Sequence, residues 1–120
     1  MKIASQNPYY LHGIGEISGL TTENLTFESI NSSFSEILAD LDINVIKSDY
    51  YEFPGGGLSI IYILSASHLA IHTWPELNFM HFDLITCSPK TDFEKLKEKL
   101  AAAYPKAEIK ASVLDYFRTK

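Results

Sequence analysis

The sequence predicts an α+β fold: a two-layer sandwich in which an antiparallel β-sheet carries two helices packed on one face. Three observations predict it. Two segments repeat apolar residues at the period of a helix. Six others are short and rich in aliphatic and aromatic residues. Their order is strand, helix, several strands, helix, strand, and short turns join the neighbouring strands, which suits antiparallel pairing under a single helical layer.

The elements follow in chain order. Tyr9 to Ile17 reads as the first strand, stopped by Ser18-Gly19. Phe27, Ile30, Phe34, Ile37, Leu38 and Leu41 lie on one stripe of a helix, which Thr26 or Asn24 would cap. Asn44 to Phe53 reads as a strand with Val45 and Ile46 as its apolar centre, followed by the turn Pro54-Gly55-Gly56-Gly57. Leu58 to Leu64 is short and β-rich, so a buried strand is expected. Leu69 to Trp74 runs extended until Pro75, and Phe79 to Cys87 is the next strand, with His81, Asp83 and Cys87 on one face. Thr91 and Glu94 have the spacing of a capping box and open a second helix, with Phe93, Leu96, Leu100 and Ala103 as its buried stripe. Ala107 to Leu114 is the last strand. The sheet face away from the helices then needs a cover, which a second copy of the chain would supply.

Composition narrows the function. The chain has 120 residues, enough for one domain, 1–120, and 46% of them are hydrophobic. With 10 Lys+Arg against 15 Asp+Glu it carries a net charge of -5, which disfavours a nucleic-acid partner. A single cysteine, Cys87, excludes an internal disulfide and points to a reducing compartment. Met1 to Pro8 has no apolar signal core, and Leu58 to Trp74 is interrupted by Ser59, Ser65, Ser67, His68 and His72, too polar for a membrane span. A cytoplasmic location is expected.

The chemistry concentrates between Phe53 and Cys87. Ser59, Ser65, Ser67, His68, His72, Thr73, Glu76, His81, Asp83 and Cys87 crowd segments that otherwise read as core strands. His68 and His72 have the spacing that binds zinc on a helix, with His81 or Cys87 to complete a site, but extended surroundings and the absence of Cys-x-x-Cys argue against a metal. Ser67, His72 and Cys87 instead combine a nucleophile, a base and a proton-carrying thiol. Taken singly, each has an ordinary structural explanation: a turn serine, a core histidine, a small buried cysteine.

The string in which they stand decides otherwise. Ser67-His68-Leu69-Ala70-Ile71-His72-Thr73-Trp74-Pro75-Glu76, followed by Asp83-Leu84-Ile85-Thr86-Cys87, closely resembles the signature of the S-adenosylmethionine decarboxylases of the short prokaryotic, pyruvoyl-dependent class. His12 and Glu16 resemble the family's N-terminal His-x-x-x-Glu, and Phe53, Gly57 and Ser59 its loop before the central strand. The resemblance implies a proenzyme that cleaves itself between Ala66 and Ser67. Ser67 attacks the Ala66 carbonyl, the resulting ester eliminates, and a covalent pyruvoyl cofactor is left at the new N-terminus. That ketone takes the substrate amine as a Schiff base and serves as an electron sink for decarboxylation. By the same resemblance His72 assists the elimination and Ser59 supports processing. Cys87 is the proton donor of the decarboxylation. Phe53 stacks on adenine, Glu76 holds the ribose hydroxyls, and Leu69 and Glu16 line the substrate site. A homodimer with catalytic sites near its interface is implied, with decarboxylated S-adenosylmethionine for spermidine synthesis as the product.

Two stretches depart from the family pattern. Ala66 stands where glutamate is usual, and Pro54-Gly55-Gly56-Gly57 replaces a bulkier loop. They leave two alternatives open: a pyruvoyl decarboxylase of a free amino acid such as ornithine or arginine, and an uncleaved regulatory or binding homologue.

Overall fold

In a computed structural model of the chain, residues 9–116 are described. The stretch Met1 to Pro8, read above for its lack of a signal core, lies outside them. The elements are β1 (Leu11–Ser18), α1 (Phe27–Asp40), β2 (Val45–Glu52), β3 (Leu58–Leu64), β4 (Ser67–Trp74), β5 (Phe79–Thr86), α2 (Phe93–Ala103) and β6 (Glu108–Leu114). Single 3-10 turns occupy Glu23–Leu25 and Pro75–Leu77. The strands form one antiparallel sheet in the order β2-β3-β4-β5-β1-β6. This is the α+β architecture expected from the sequence. Among the described residues no helix is long and apolar enough to cross a membrane.

The pleat divides the central strands between two environments. Leu58, Ile60, Tyr62 and Leu64 of β3, Leu69 and Ile71 of β4, and Met80, Phe82 and Leu84 of β5 are buried on one face. Both helices cover that face. Phe34 of α1 packs on Phe82 with ring centroids 6.2 Å apart, Tyr62 donates to Asn31 Oδ1 of α1 at 2.7 Å, and Phe93 of α2 lies over Gly13. A Cβ at Gly13 would stand 2.2 Å from the Phe93 ring, so β1 admits α2 there only because the residue is glycine.

The opposite face is open, and its rows follow from the strand register. One row runs Tyr51, Ser59, His72, His81, Glu16, Lys110 across the six strands. The next runs Asp49, Ile61, Ala70, Asp83, Ile14, Ser112, and the third Lys47, Ile63, His68, Ile85, His12, Leu114.

The structure adjusts several sequence expectations. Strand β1 starts at Leu11 rather than Tyr9, and β4 at Ser67 rather than Leu69. Thr26 caps α1 by accepting from Ser29 N at 3.1 Å, whereas Asn24 closes the preceding turn through Thr21. Helix α2 is capped not by Thr91 but by Asp92, whose side chain accepts from Lys95 N. Thr91 is buried and bonds Thr86 Oγ1 at 3.2 Å instead. Ala103 is exposed, outside the α2 stripe. Val45 and Ile46 are exposed because β2 is an edge strand with a register shift between Val45 and Lys47. β3 is buried on one side only, leaving Ile61 and Ile63 on the open face.

Candidate active site

Most of the residues singled out from the sequence collect at the two ends of the central strands. The first group sits where β3 begins and β4 ends. Ser59 and His72 are cross-strand partners, and Ser59 Oγ lies 2.8 Å from His72 Nδ1. A cavity of about 540 Å³ opens beside them, lined by Phe53, Ser59, His72 and Glu76 together with Gly55, Trp74 and their neighbours. That volume is within the range that holds a drug-sized ligand. Phe53 is half exposed, and Tyr51 meets it edge-on with centroids 4.8 Å apart. The glycine turn forms the rim. Gly55 and Gly56 both have φ of +99°, and a Cβ at Gly55 would meet nothing within 4 Å. The rim closes through Phe53 N to Gly57 O at 2.7 Å and Gly56 N to Phe53 O at 2.9 Å. Thr73 holds the start of β3 from beneath, its Oγ1 accepting from Leu58 N at 2.9 Å.

The second group sits at the opposite end. Strands β3 and β4 are joined by a two-residue turn, Ser65-Ala66, with Leu64 paired to Ser67. Ser65 N donates to Asn44 O at 2.9 Å, which pins the turn. Ser67 has φ of +143°, a region that L residues rarely occupy, and backbone strain of this kind costs roughly 1–3 kcal/mol. The Ala66 carbonyl accepts a hydrogen bond from Cys87 N at 2.8 Å. A carbonyl held by a fixed amide donor, followed by a strained residue with a hydroxyl, is an arrangement in which charge developing on that oxygen is stabilised. Cys87 itself is exposed.

Within one chain these groups stay apart. Ser67 and His72 are five residues apart on an extended strand, about 17 Å by its rise. Leu69 is 2% exposed in the core beneath the helices, so its side chain does not reach either group. Glu16 lies opposite His81 and Lys110 and lines a different cavity, of about 470 Å³, with both of them. His68 and His72, being on a strand, are about 13 Å apart rather than adjacent as on a helix. Among the described residues no group of three or more His, Cys, Asp or Glu could hold a metal ion.

Sequence reasoning passed over Trp74 as a wall of the larger cavity, although it stands inside the signature string and its ring is 5.6 Å from Phe79. It also passed over the contacts of His12, which bonds Asp83 through Nε2 and Tyr116 OH through Nδ1 at 2.8 Å. Tyr116 is more than a hundred residues from His12 and carried no sequence signal.

Known proteins resemble the chain in sequence and in fold. The family model described as S-adenosylmethionine decarboxylase matches residues 11–116. The S-adenosylmethionine decarboxylase proenzyme of Archaeoglobus fulgidus is 29% identical over 105 residues, covering 87% of this chain and 94% of that protein. The proenzyme of Thermococcus gammatolerans is 32% identical over 108 residues, covering 85% of this chain and 76% of its own length. In fold, the crystal structure of the adenosylmethionine decarboxylase from Aquifex aeolicus superposes with a TM-score of 0.75 at 21% identity, over 96% of this chain and 100% of that one. With its whole sheet and both helices inside the match, the chain belongs to the S-adenosylmethionine decarboxylase family.

Proposed function

We propose that the chain is a self-cleaving, pyruvoyl-dependent decarboxylase of S-adenosylmethionine, with Ser67 as the source of the cofactor. The observation that carries this reading is the strained φ of +143° at Ser67 together with the Cys87 amide on the Ala66 carbonyl. The scissile bond therefore sits in a two-residue hairpin turn between paired strands. Ser67 Oγ adds to the Ala66 carbonyl, the C–N bond breaks, and an ester joins Ala66 to the serine oxygen. The Cys87 N–H steadies the oxygen as it takes up charge. Release of strain at Ser67 favours the shift, and the reaction needs no side chain at position 66, which suits Ala66. Cleavage leaves chains of 66 and 54 residues (120 minus 66).

The fit of a pyruvoyl group rests on the same geometry, because the group is made from Ser67 where it stands. When present, it supplies a ketone that accepts electrons from the departing carboxylate. The chain's own residues do the rest. Phe53 offers a ring to adenine and to the cationic sulfonium, and Glu76 offers a carboxylate to the ribose diol. His72, bonded to Ser59, is held in one orientation to remove the proton for elimination. Cys87 delivers the proton that replaces carbon dioxide.

The separation of about 17 Å between Ser67 and His72 means that these roles are shared between two copies. The open face carries Ile14, Ile61, Ile63, Ile85 and Trp74, an apolar surface of the kind a second sheet covers. A two-fold axis lying between two such faces, across the strands, brings the Ser67 end of one copy over the Ser59–His72 end of the other. A homodimer then assembles two complete sites.

The test is release of carbon dioxide from carboxyl-labelled S-adenosylmethionine, with ornithine and arginine in parallel. Release from S-adenosylmethionine alone is expected. Release from a free amino acid instead would move the substrate assignment, and release from none would refute the activity.

A further inference from the structure

At the cleavage site the Ala66 carbonyl is met by one amide, that of Cys87, at 2.8 Å. A buried pair of threonines sets the direction of that amide. Thr86 ends β5 as the cross-strand partner of Ser67, and it is 1% exposed. Its Oγ1 accepts from Ser88 N at 3.2 Å. A bond of this kind, from a side-chain hydroxyl to the amide two residues on, closes a ring through the backbone. The peptide joining Thr86 to Cys87 lies inside that ring, so the bond restrains the Cys87 N–H. The Thr86 hydroxyl is held in turn by Thr91 Oγ1, 3.2 Å away. Thr91 is buried as well, and two hydroxyls removed from bulk solvent satisfy each other there. The intervening turn is closed by Thr91 N to Ser88 O and Lys90 N to Ser88 Oγ, both at 3.3 Å. Thr91 has the spacing of a helix cap, yet Asp92 caps α2 and the Thr91 side chain turns inward. The inward bond therefore supports the end of β5 rather than the helix.

We propose that Thr86, backed by Thr91, is a positioning residue for self-cleavage: its hydroxyl sets the Cys87 amide against the Ala66 carbonyl. The proposal rests on the cleavage reading given above. When Ser67 Oγ adds to that carbonyl, charge gathers on the carbonyl oxygen. A donor already aimed at the oxygen stabilises that charge without having to reorganise. Without the Thr86 hydroxyl, the ring that contains the Thr86–Cys87 peptide is open. Ser88 is only half-buried, so its freed N–H turns to solvent, and the peptide before it gains freedom to rotate. The Cys87 N–H is then present but no longer held in place, and it must be oriented during the reaction itself. Thr86 acts through this amide rather than on the scissile bond. Valine has the branched shape of threonine without the hydroxyl, so Thr86→Val removes the bond and keeps the strand preference. Serine keeps the hydroxyl and loses only the methyl group.

The test follows the full-length protein after a short pulse of cell-free synthesis, with intact mass recording the loss of uncut chain over time. Thr86→Val should cleave about 10²-fold more slowly than the wild type, the low end of what loss of one such donor costs. Thr86→Ser should cleave nearly as fast as the wild type, a rescue that a role in packing alone would not give. Hydroxylamine, which cuts esters, separates the steps. It should release no extra chain from Thr86→Val, because formation of the ester is the slowed step. From His72→Ala, in which elimination is lost and the ester accumulates, it should. The proposal is overturned if Thr86→Val cleaves at the wild-type rate, if Thr86→Ser is as slow as Thr86→Val, or if hydroxylamine releases chain from Thr86→Val as it does from His72→Ala. Should Thr86→Val fail to fold, Thr91→Val decides, since it removes the support of the same hydroxyl. Slower cleavage is then expected, and an unchanged rate overturns the proposal. A wild type that stays uncut would instead refute the underlying self-cleavage.

Discussion

Two substitutions at Ser67 separate the chemistry of the cleavage site from its strain. Ser67→Ala and Ser67→Gly both remove the hydroxyl, so both should remain single chains of 120 residues. They differ in what the backbone at φ +143° costs them. Alanine retains a Cβ and the strain, about 1–3 kcal/mol, whereas glycine occupies this region freely. Glycine also gains freedom in the unfolded chain, which opposes the benefit by about 0.4–1 kcal/mol. Ser67→Gly should therefore be the more stable of the two by about 1 kcal/mol. With a urea m-value of about 1–3 kcal/mol/M, its unfolding midpoint should lie about 0.5 M higher. The assay is urea unfolding followed by far-UV circular dichroism at equal protein concentrations, so that any dimer linkage is shared. Equal midpoints, or a lower midpoint for glycine, would refute the claim that strain is stored at the scissile bond.

The other predictions concern assembly and stability. Co-expressed Ser67→Ala and His72→Ala chains should form mixed dimers in which the His72→Ala chain is cut, because its Ser67 meets an intact Ser59–His72 pair on its partner; absence of any cut chain would argue against a shared site. Gly13→Ala puts a methyl 2.2 Å from the Phe93 ring and should destabilise the fold by about 1–3 kcal/mol, read as a lower thermal midpoint; an unchanged midpoint would contradict the close approach of α2. Burial, followed by the neighbouring Tyr104 phenol, raises the Tyr62 pKa from 10.0 to about 12. The folded chain thus holds this proton more tightly than the unfolded chain, so the associated stability is complete below pH 10 and lost as pH rises toward 12. Tyr62→Phe should be less stable at pH 7 by about 1 kcal/mol, from the lost bond to Asn31, and should decline less steeply above pH 10; parallel curves for the two proteins would refute this.

Much of this molecule was legible in its sequence. The α1 stripe, the alternation of β5 and the glycine turn each follow from a local period or a backbone requirement, and the structure places them where those rules put them. Errors arose where tertiary position outweighed local pattern. Val45 and Ile46 are apolar yet exposed because β2 is an edge, and an edge is defined by which strands pair. Thr91 has the spacing of a cap but is drawn inward by Thr86, which frees Asp92 for the role. The same limit applies to the site. The signature string named Ser67, His72, Glu76 and Cys87, and the loop match before it Ser59, but not that an extended β4 holds Ser67 and His72 at opposite ends of the sheet. Nor could local pattern place Tyr116 beside His12, a contact created by β6 returning along β1.

The central claim is that Ser67 cleaves its own backbone and becomes the cofactor. Intact-mass measurement of the purified, untagged protein tests it most directly. The predicted result is two chains of 66 and 54 residues, the shorter lighter by one ammonia than a chain starting with serine, as a pyruvoyl terminus requires. A single uncut chain that persists on incubation would contradict it, and would favour an uncleaved binding homologue.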